Sequence, residues 1–298
     1  MKRNKLYYLL NPSVGWHALR MKLSDKYALS HSFRDHFGYD IDWKSPHSFS
    51  EKLQWLKLYD RNPLYTKMVD KYESKRYVSE IIGEDYIIPT LGVWKHFDDI
   101  DFNSLPNQFV LKCTHDSGSI AICEDKTTFD YESAKALLNR GLKNDFYKMG
   151  REWPYKNVPR RIIAEQYMKD GENSSLTDYK FYCFNGEPKF LYVSYGLAVH
   201  STAYINYVTL DWKQAPFHRP DFLEMDYLPP KPDNFELMME LSRKLSQGIP
   251  FLRVDFYEIN KKVYYSELTF FPGSGLTPFE PQEWDLKIGS WLKLPKKK

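Results

Sequence analysis

The chain has 298 residues, of which 42% are hydrophobic and 27% charged. That balance is long and apolar enough for one large domain or two to three smaller ones with real cores, and it excludes a disordered or low-complexity chain. With 42 basic against 39 acidic residues the formal net charge is only +3, too even for a dedicated nucleic-acid binder.

The chain opens with Lys2-Arg3-Asn4-Lys5 ahead of Leu6-Tyr7-Tyr8-Leu9-Leu10 and ends on Lys296-Lys297-Lys298. The apolar run is shorter than a signal-peptide core and lacks a small-residue cleavage site. The basic ends read as solvated termini; the sharper reading is attraction to an anionic membrane surface or a polyanionic substrate. Roughly the first 60 residues read as amphipathic helices. Ser48-Phe49-Ser50-Glu51 predicts a capping box, with Leu53 and Leu56 on one helical face and Asn62-Pro63 ending the run. A second helix is predicted over Met68 to Ile81, with Gly83 at its end.

The middle alternates. Phe109 to Thr114 is a buried strand that carries Lys112, His115 to Ser119 a polar turn, and Ile120 to Cys123 the return strand. Tyr131 to Leu142 is a helix with Asp130 as its cap, and Arg161 to Met168 another strand. Between them, Lys143 to Arg161 mixes basic and aromatic residues: either a loop for an acidic substrate or a solvated connection. The last part is sheet-rich. Asn185-Gly186 predicts a tight hairpin between Phe181–Phe184 and Lys189–Tyr195, because Asn-Gly supplies the positive φ angles such a turn needs. Phe235 to Leu245 is a helix with Asn234 as its cap and Gly248 beyond its end. Phe251–Glu258 and Val263–Phe270 form a second hairpin.

Three cysteines, Cys113, Cys123 and Cys183, with no C-x-x-C, indicate reduced thiols rather than a disulfide framework or a zinc knuckle. No apolar run approaches a membrane span. A cytoplasmic protein is expected, with contact to the inner membrane face as a further option. The 17% aromatic content predicts aromatic-walled clefts suited to planar rings or sugars. Trp212, Trp284 and Trp291 read first as packing residues.

Chemistry concentrates in two places. Lys112 lies in an apolar run, and a buried ammonium needs an anionic partner; Ser117-Gly118-Ser119 just after it could turn backbone N–H groups towards phosphate. The alternative is a lysine pointing out from an edge strand. Arg253 and Asp255 share one strand face, and Glu267 and Thr269 can share it from the partner strand. Two carboxylates and a hydroxyl on one face suit Mg²⁺ completed by phosphates, or else cross-strand Arg–carboxylate pairs on a solvated hairpin. Gly273 and Gly275 follow, where backbone can approach a ligand closely. No G-x-S-x-G elbow, H-E-x-x-H or P-loop occurs.

The ordered set Asp70-Lys71-Tyr72-Glu73-Ser74-Lys75, Val110-Leu111-Lys112, Ile163 to Met168, Asp178-Tyr179-Lys180, Arg253-Val254-Asp255, Glu267-Leu268-Thr269 and Pro272-Gly273 resembles the ATP-grasp enzymes. It is most similar to the teichuronopeptide-biosynthesis (TupA-like) type of bacterial surface-polysaccharide gene sets. The resemblance covers Met68 to Leu276 and implies an α+β ATP-grasp fold, two lobes clasping nucleotide after an N-terminal helical region. The corresponding divisions are 1–67, 68–168 and 169–298.

The resemblance also implies roles. Lys75 and Lys112 contact the phosphates of ATP, with Ser117, Gly118 and Ser119 in the flexible loop. Glu165, Gln166, Tyr167 and Met168 bind adenine through backbone groups. Glu172, with Asp170 behind it, holds the ribose, and Lys180 reaches the terminal phosphate. Asp255 and Glu267 hold Mg²⁺, with Thr269 where the family has asparagine, which puts the second ion in question. Arg253 and the Gly273 backbone face an acyl phosphate. The implied activity is an ATP-dependent carboxylate–amine ligase joining an amino acid or peptide to a uronic-acid carboxylate of a surface polysaccharide or its precursor. Its rivals are a phosphotransferase using Asp178 or His115 as base, a glycosyltransferase using Asp40-Ile41-Asp42 or Asp99-Ile100-Asp101, and a non-catalytic polysaccharide-binding protein.

Overall fold

The computed structural model describes residues 19–22, 24–171, 176–195 and 203–297. The basic start of the chain and Glu172 lie outside these. Two antiparallel sheets with separate hydrophobic cores organise the described chain.

The smaller lobe is a four-stranded sheet of β1 (Thr90–Trp94), β2 (Phe109–Cys113), β3 (Ile120–Cys123) and β4 (Ile162–Gln166), in the order β1-β4-β2-β3. Strand alternation divides its side chains. Phe109, Leu111 and Cys113 of β2 and Ile162 and Ala164 of β4 pack under helix α5 (Tyr131–Lys143), leaving Lys112 and Glu165 on the opposite face. Asp130 caps α5 as expected, accepting the Ser133 N–H at 2.9 Å.

The larger lobe is a five-stranded sheet of β5 (Asp178–Phe184), β6 (Glu187–Tyr195), β7 (Tyr204–Thr209), β8 (Phe251–Ile259) and β9 (Lys262–Thr269), in the order β7-β6-β5-β8-β9. Both predicted hairpins form, with positive φ at Asn185 and Gly186 and again at Asn260 and Lys261. Helix α7 (Phe235–Ser246) covers one face, Phe235 meeting Phe181 with ring centroids 5.7 Å apart. The other face changes character along its strands. At one end Tyr182, Phe184 and Phe251 pack against Phe49 of helix α2 (Phe49–Tyr59), with helix α8 (Glu283–Trp291) alongside. At the other end the same face carries Asp178, Lys180 and Asp255.

The capping box of α2 is complete: Ser48 accepts from Glu51 N–H while the Glu51 side chain returns to Ser48 N–H. Helix α1 (Asp25–Phe37) precedes it. The single helix expected over Met68 to Ile81 is instead two, α3 (Leu64–Val69) and α4 (Glu73–Ile82). The Asp70 carboxylate accepts Tyr72 N–H at 3.0 Å, an Asx-type turn that opens the backbone so that Lys71 N–H reaches Thr114 O. Asn234 does not cap α7 through its side chain; its amide donates to Lys261 O at 2.8 Å.

The segment 143–161 is neither a free loop nor a solvated connection. It forms α6 (Phe146–Gly150) and a 3-10 turn whose Trp153 donates to Asp60 O at 3.1 Å, joining the larger core. Much of the aromatic excess fills that core: Tyr182 stacks on Phe190, Tyr207 tilts against Phe190 and Phe217, and Phe217 meets Phe279 edge-on. Trp212, Trp284 and Trp291 pack against this cluster. All three cysteines are free and buried.

Candidate functional site

One wall of the interlobe cleft is built on Glu165. Lys112 on β2 and Glu165 on β4 share a sheet face, and Lys75 comes from α4. Glu165 Oε2 lies 2.7 Å from Lys112 Nζ and Oε1 lies 2.5 Å from Lys75 Nζ, which also donates to Ile88 O. Burial pushes the Glu165 carboxyl up, but the two ammonium groups outweigh it and hold it at about 2. The same carboxylate raises Lys112 against its own burial, whereas burial prevails at Lys75 and lowers it. Lys112 is therefore no edge-strand decoration: it sits on an interior strand, paired to a buried acid.

The facing wall runs across the five-stranded sheet. Register places Glu267, Asp255, Lys180, Tyr192 and Tyr207 opposite one another on successive strands, one cross-strand row on one face. Asp255 is fully buried and accepts from Lys180 at 2.9 Å and from both forks of Arg253 at 2.8 and 2.6 Å. Lys180 also reaches Asp178 at 2.9 Å, while burial raises the Asp178 carboxyl. Arg253 continues to Glu267 at 3.2 Å, Thr269 Oγ at 2.9 Å and the Tyr192 hydroxyl at 3.3 Å. Glu267 is 41% exposed. Partial burial would raise it, but Lys71, Arg253 and Lys180 hold it at about 2. The cross-strand Arg–carboxylate pairing is thus present, at a cleft wall and not on a solvated surface.

The expected phosphate loop lies at the end of β2. Gly118 has a φ of 92° and, with Ser117, is exposed. Ser119 is buried and donates to Asp116 Oδ2 at 2.5 Å. His115 is buried beside the Gly141 and Asn144 backbone at the end of α5. Lys71, which the motif reading passed over, donates to Asp116 O and lies near enough to Glu267 to lower it.

The adenine segment is only partly open. Glu165 lies inside β4, paired with Thr90 on one side and Val110 on the other, and Gln166 N–H is donated to Pro89 O at 3.0 Å. Their backbones are spent on the sheet, and the Glu165 side chain on lysines. Only Tyr167 and Met168 of the four lie beyond the strand. Asp170 accepts Asn260 N–H at 2.9 Å, tying the segment to the β8–β9 turn.

Past Thr269, residues Gly273, Ser274 and Gly275 all have positive φ, at 54°, 55° and 59°. Glycine relieves two of these, but Ser274 is strained. Helix α2 fixes the turn: Gln54 donates to Ser274 O and Gly275 O at 3.0 and 2.8 Å, and Lys57 to Ser274 O and Gly150 O at 2.7 Å each. Lys57 is wholly buried, which lowers it to about 8.

Sequence reasoning missed Lys71, Tyr192, Lys57 and Glu152. For Tyr192 a signal existed in the polar alternation of Phe190-Leu191-Tyr192-Val193-Ser194. Gln54 and Lys57 stood three apart beside Leu53 on an apolar helix face.

Asp255 and Glu267 are direct cross-strand partners, the carboxylate pairing a hard cation uses, but only Glu267 is exposed, and both Asp255 oxygens already accept from Arg253 and Lys180. No group of three or more acidic, His or Cys side chains able to hold a metal occurs among the described residues, so other ligands must come from a substrate or water. No helix among those residues is long and apolar enough to cross a membrane.

Solved structures similar in fold include the D-alanine–D-alanine ligase of Bacillus anthracis complexed with ATP (13% identity, TM-score 0.39, 68% of this chain and 55% of that one). The Helicobacter pylori D-alanine–D-alanine ligase is also similar (13%, 0.45, 84% and 68%), as is the L-amino acid ligase of Bacillus licheniformis (12%, 0.41, 86% and 56%). This chain therefore spans little more than half of the B. anthracis enzyme. No curated protein matches the sequence. The model of the TupA-like ATP-grasp family matches residues 51–293, from the first turn of α2 to just past α8 and so across both walls of the cleft. The chain belongs to the TupA-like ATP-grasp family.

Proposed function

We propose that the protein is an ATP- and Mg²⁺-dependent carboxylate–amine ligase, with a uronic-acid carboxylate as acceptor and an amino acid or peptide as the amine. The observation that carries this reading is the pair of facing walls. Lys75 and Lys112 stand around Glu165 on one side, and Lys180, Arg253, Asp255 and Glu267 on the other. Cations on both sides with a carboxylate pair between them suit a polyphosphate whose terminal group is to be transferred.

In this reading Lys75 and Lys112 bind the inner phosphates and Lys180 the terminal one. Tyr167 and Met168 offer backbone groups to adenine, and Asp170 and Glu172 flank the ribose. Asp255 and Glu267, with Thr269, hold Mg²⁺, which neutralises phosphate charge when bound. The substrate carboxylate attacks the γ-phosphorus, the bridging bond to ADP breaks, and an acyl phosphate forms. Arg253 and the Gly273 turn stand beside that group. The amine then attacks the acyl carbon and phosphate leaves. Electrostatics and positioning supply the acceleration, and no covalent enzyme nucleophile is required. Of the two bases a phosphotransferase could use on a sugar hydroxyl, Asp178 is ion-paired to Lys180 at 2.9 Å and His115 is buried beside the end of α5.

The test is ADP release with MgATP, a panel of uronic acids and their glycosides, and a panel of amino acids, with product masses read beside it. An amide product with free phosphate supports the reading. A stable phosphoester overturns it in favour of a kinase, and no ADP from any pair overturns the enzyme itself.

A further inference from the structure

Segment 143–161 leaves the smaller lobe, joins the larger core and buries Glu152 there. Glu152 is 6% exposed. Its Oε1 accepts from the Ser274 hydroxyl, in the turn of three positive-φ residues. That is its one side-chain hydrogen bond among the described residues. The fit is close: a Cβ on Gly150 would come within 2.1 Å of Ser274 Oγ and 2.9 Å of Glu152 Oε1. The charged groups around it are Lys57 from α2, Arg253 from β8 and Glu267 from β9, with the Tyr155 hydroxyl one turn along its own segment.

The other buried acids of the cleft are committed. Glu165, Asp178 and Asp255 each lie within 2.9 Å of a lysine. Glu152 forms no ion pair among the described residues; Lys57 spends its three protons on Gln54, Gly150 and Ser274. A buried carboxylate without an ion pair of its own is costly, and a cation brought against it is stabilised. It stands beside Arg253 and the Ser274 turn, the groups that the ligase reading sets next to the acyl phosphate.

We propose that Glu152, held by Ser274, binds the ammonium group of the amine substrate and accepts its proton. This rests on the ligase reading above. An amine reaches the site as R–NH₃⁺ and cannot attack in that form. One proton passes to the Glu152 carboxylate. The freed lone pair then forms the C–N bond, and the C–O bond to phosphate breaks with its electron pair going to phosphate. The second nitrogen proton leaves with that phosphate. Burial raises the Glu152 carboxyl, with Lys57 pulling the other way, so it is a better base than an exposed glutamate.

The experiment compares two nucleophiles on one carboxylate in the full chain with MgATP: an α-amino acid, cationic at neutral pH, and hydroxylamine, already neutral there. Glu152→Gln keeps the shape and the bond from Ser274. Amide formation with the amino acid should fall about 10²–10⁴-fold with a raised KM, and hydroxamate formation far less. Glu152→Asp, which restores the charge, should recover much of the amino-acid reaction and carries the test if the Gln variant fails to fold. Equal losses with both nucleophiles, or no loss with the amino acid, overturn the proposal. If the wild-type chain releases no ADP with any carboxylate and hydroxylamine, the ligase reading fails and the ammonium site falls with it.

Discussion

Lys112 and Glu165 meet across the paired strands β2 and β4, ammonium to carboxylate at 2.7 Å, with Lys75 on the other carboxylate oxygen. One acid thus sets the charge of two lysines that face the cleft. Removing Glu165 leaves two mostly buried cations together without their anion, whose loss costs about 3–5 kcal/mol in comparable buried pairs. Glu165→Gln should lower the melting temperature sharply in the absence of nucleotide and recover much of it in saturating MgATP, because phosphates then supply the missing charge. Melting curves with and without MgATP check this; equal losses in both would show that phosphate does not come to these lysines.

The same acid predicts an acid limit. Glu165 ordinarily titrates near 4.5 and is held at about 2 in the folded chain. A depressed carboxylate stabilises the fold fully above its unfolded value and loses that contribution as pH falls through the folded one. The stability lost between about pH 4.5 and 2 should shrink in Glu165→Gln. Denaturant melts of both chains across that range measure it.

Asp255 and Glu267 are partners in register but not in burial: Asp255 is 0% exposed between Lys180 and Arg253, Glu267 41%. The amide substitutions should therefore part company. Asp255→Asn strands two cations and should unfold at markedly lower temperature. Glu267→Gln should melt within a few degrees of the parent while losing about 10²–10³ in ATP turnover and needing more Mg²⁺. Calorimetric melts beside ADP release across a Mg²⁺ titration separate the two; normal turnover in Glu267→Gln would leave the pair a purely structural Arg253 clamp.

Thr269 donates to Glu267 Oε1 at 3.0 Å and accepts from Arg253 at 2.9 Å. An asparagine could keep both bonds and extend an oxygen further. Thr269→Asn should retain the fold and lower the Mg²⁺ concentration for half-maximal ADP release. An unchanged Mg²⁺ curve would show that Thr269 serves Arg253 alone.

The local signals were legible where chemistry is local. The Ser48 box, the Asp130 cap and the Asn185-Gly186 turn follow from neighbours in sequence. Partnership was not legible. Lys112 needed an anion, but nothing in its own strand said that the anion was Glu165, itself expected to serve adenine. Glu152 was hidden for another reason. Its segment lacks periodicity, and tertiary contacts such as Trp153 on Asp60 and Tyr65, and Lys57 on Gly150, carry the acid to the larger core.

Lys57 joins the N-terminal helices to the site. It is wholly buried, and its three donors end on Gln54 Oε1, Gly150 O and Ser274 O. Lys57→Met keeps the length and apolar bulk but takes the Lys57 donor from Gly150 O and Gln54 Oε1, at about 1–3 kcal/mol for each buried group left unsatisfied, and leaves Ser274 O to Gln54 alone. The positive-φ Ser274 depends on that anchoring, so the turn should relax towards ordinary backbone angles. Two effects should follow together: a lower melting temperature, and faster amide exchange concentrated in residues 272–277 rather than spread over the sheet. MgATP affinity should change little, because Lys75, Lys112 and Lys180 do not touch α2, while ligation falls. Hydrogen-exchange mass spectrometry with a nucleotide titration on the same variant reads both. A uniform rise in exchange, or a loss of MgATP binding as large as the loss of ligation, would make Lys57 a general stabiliser of the core and not the anchor of the turn.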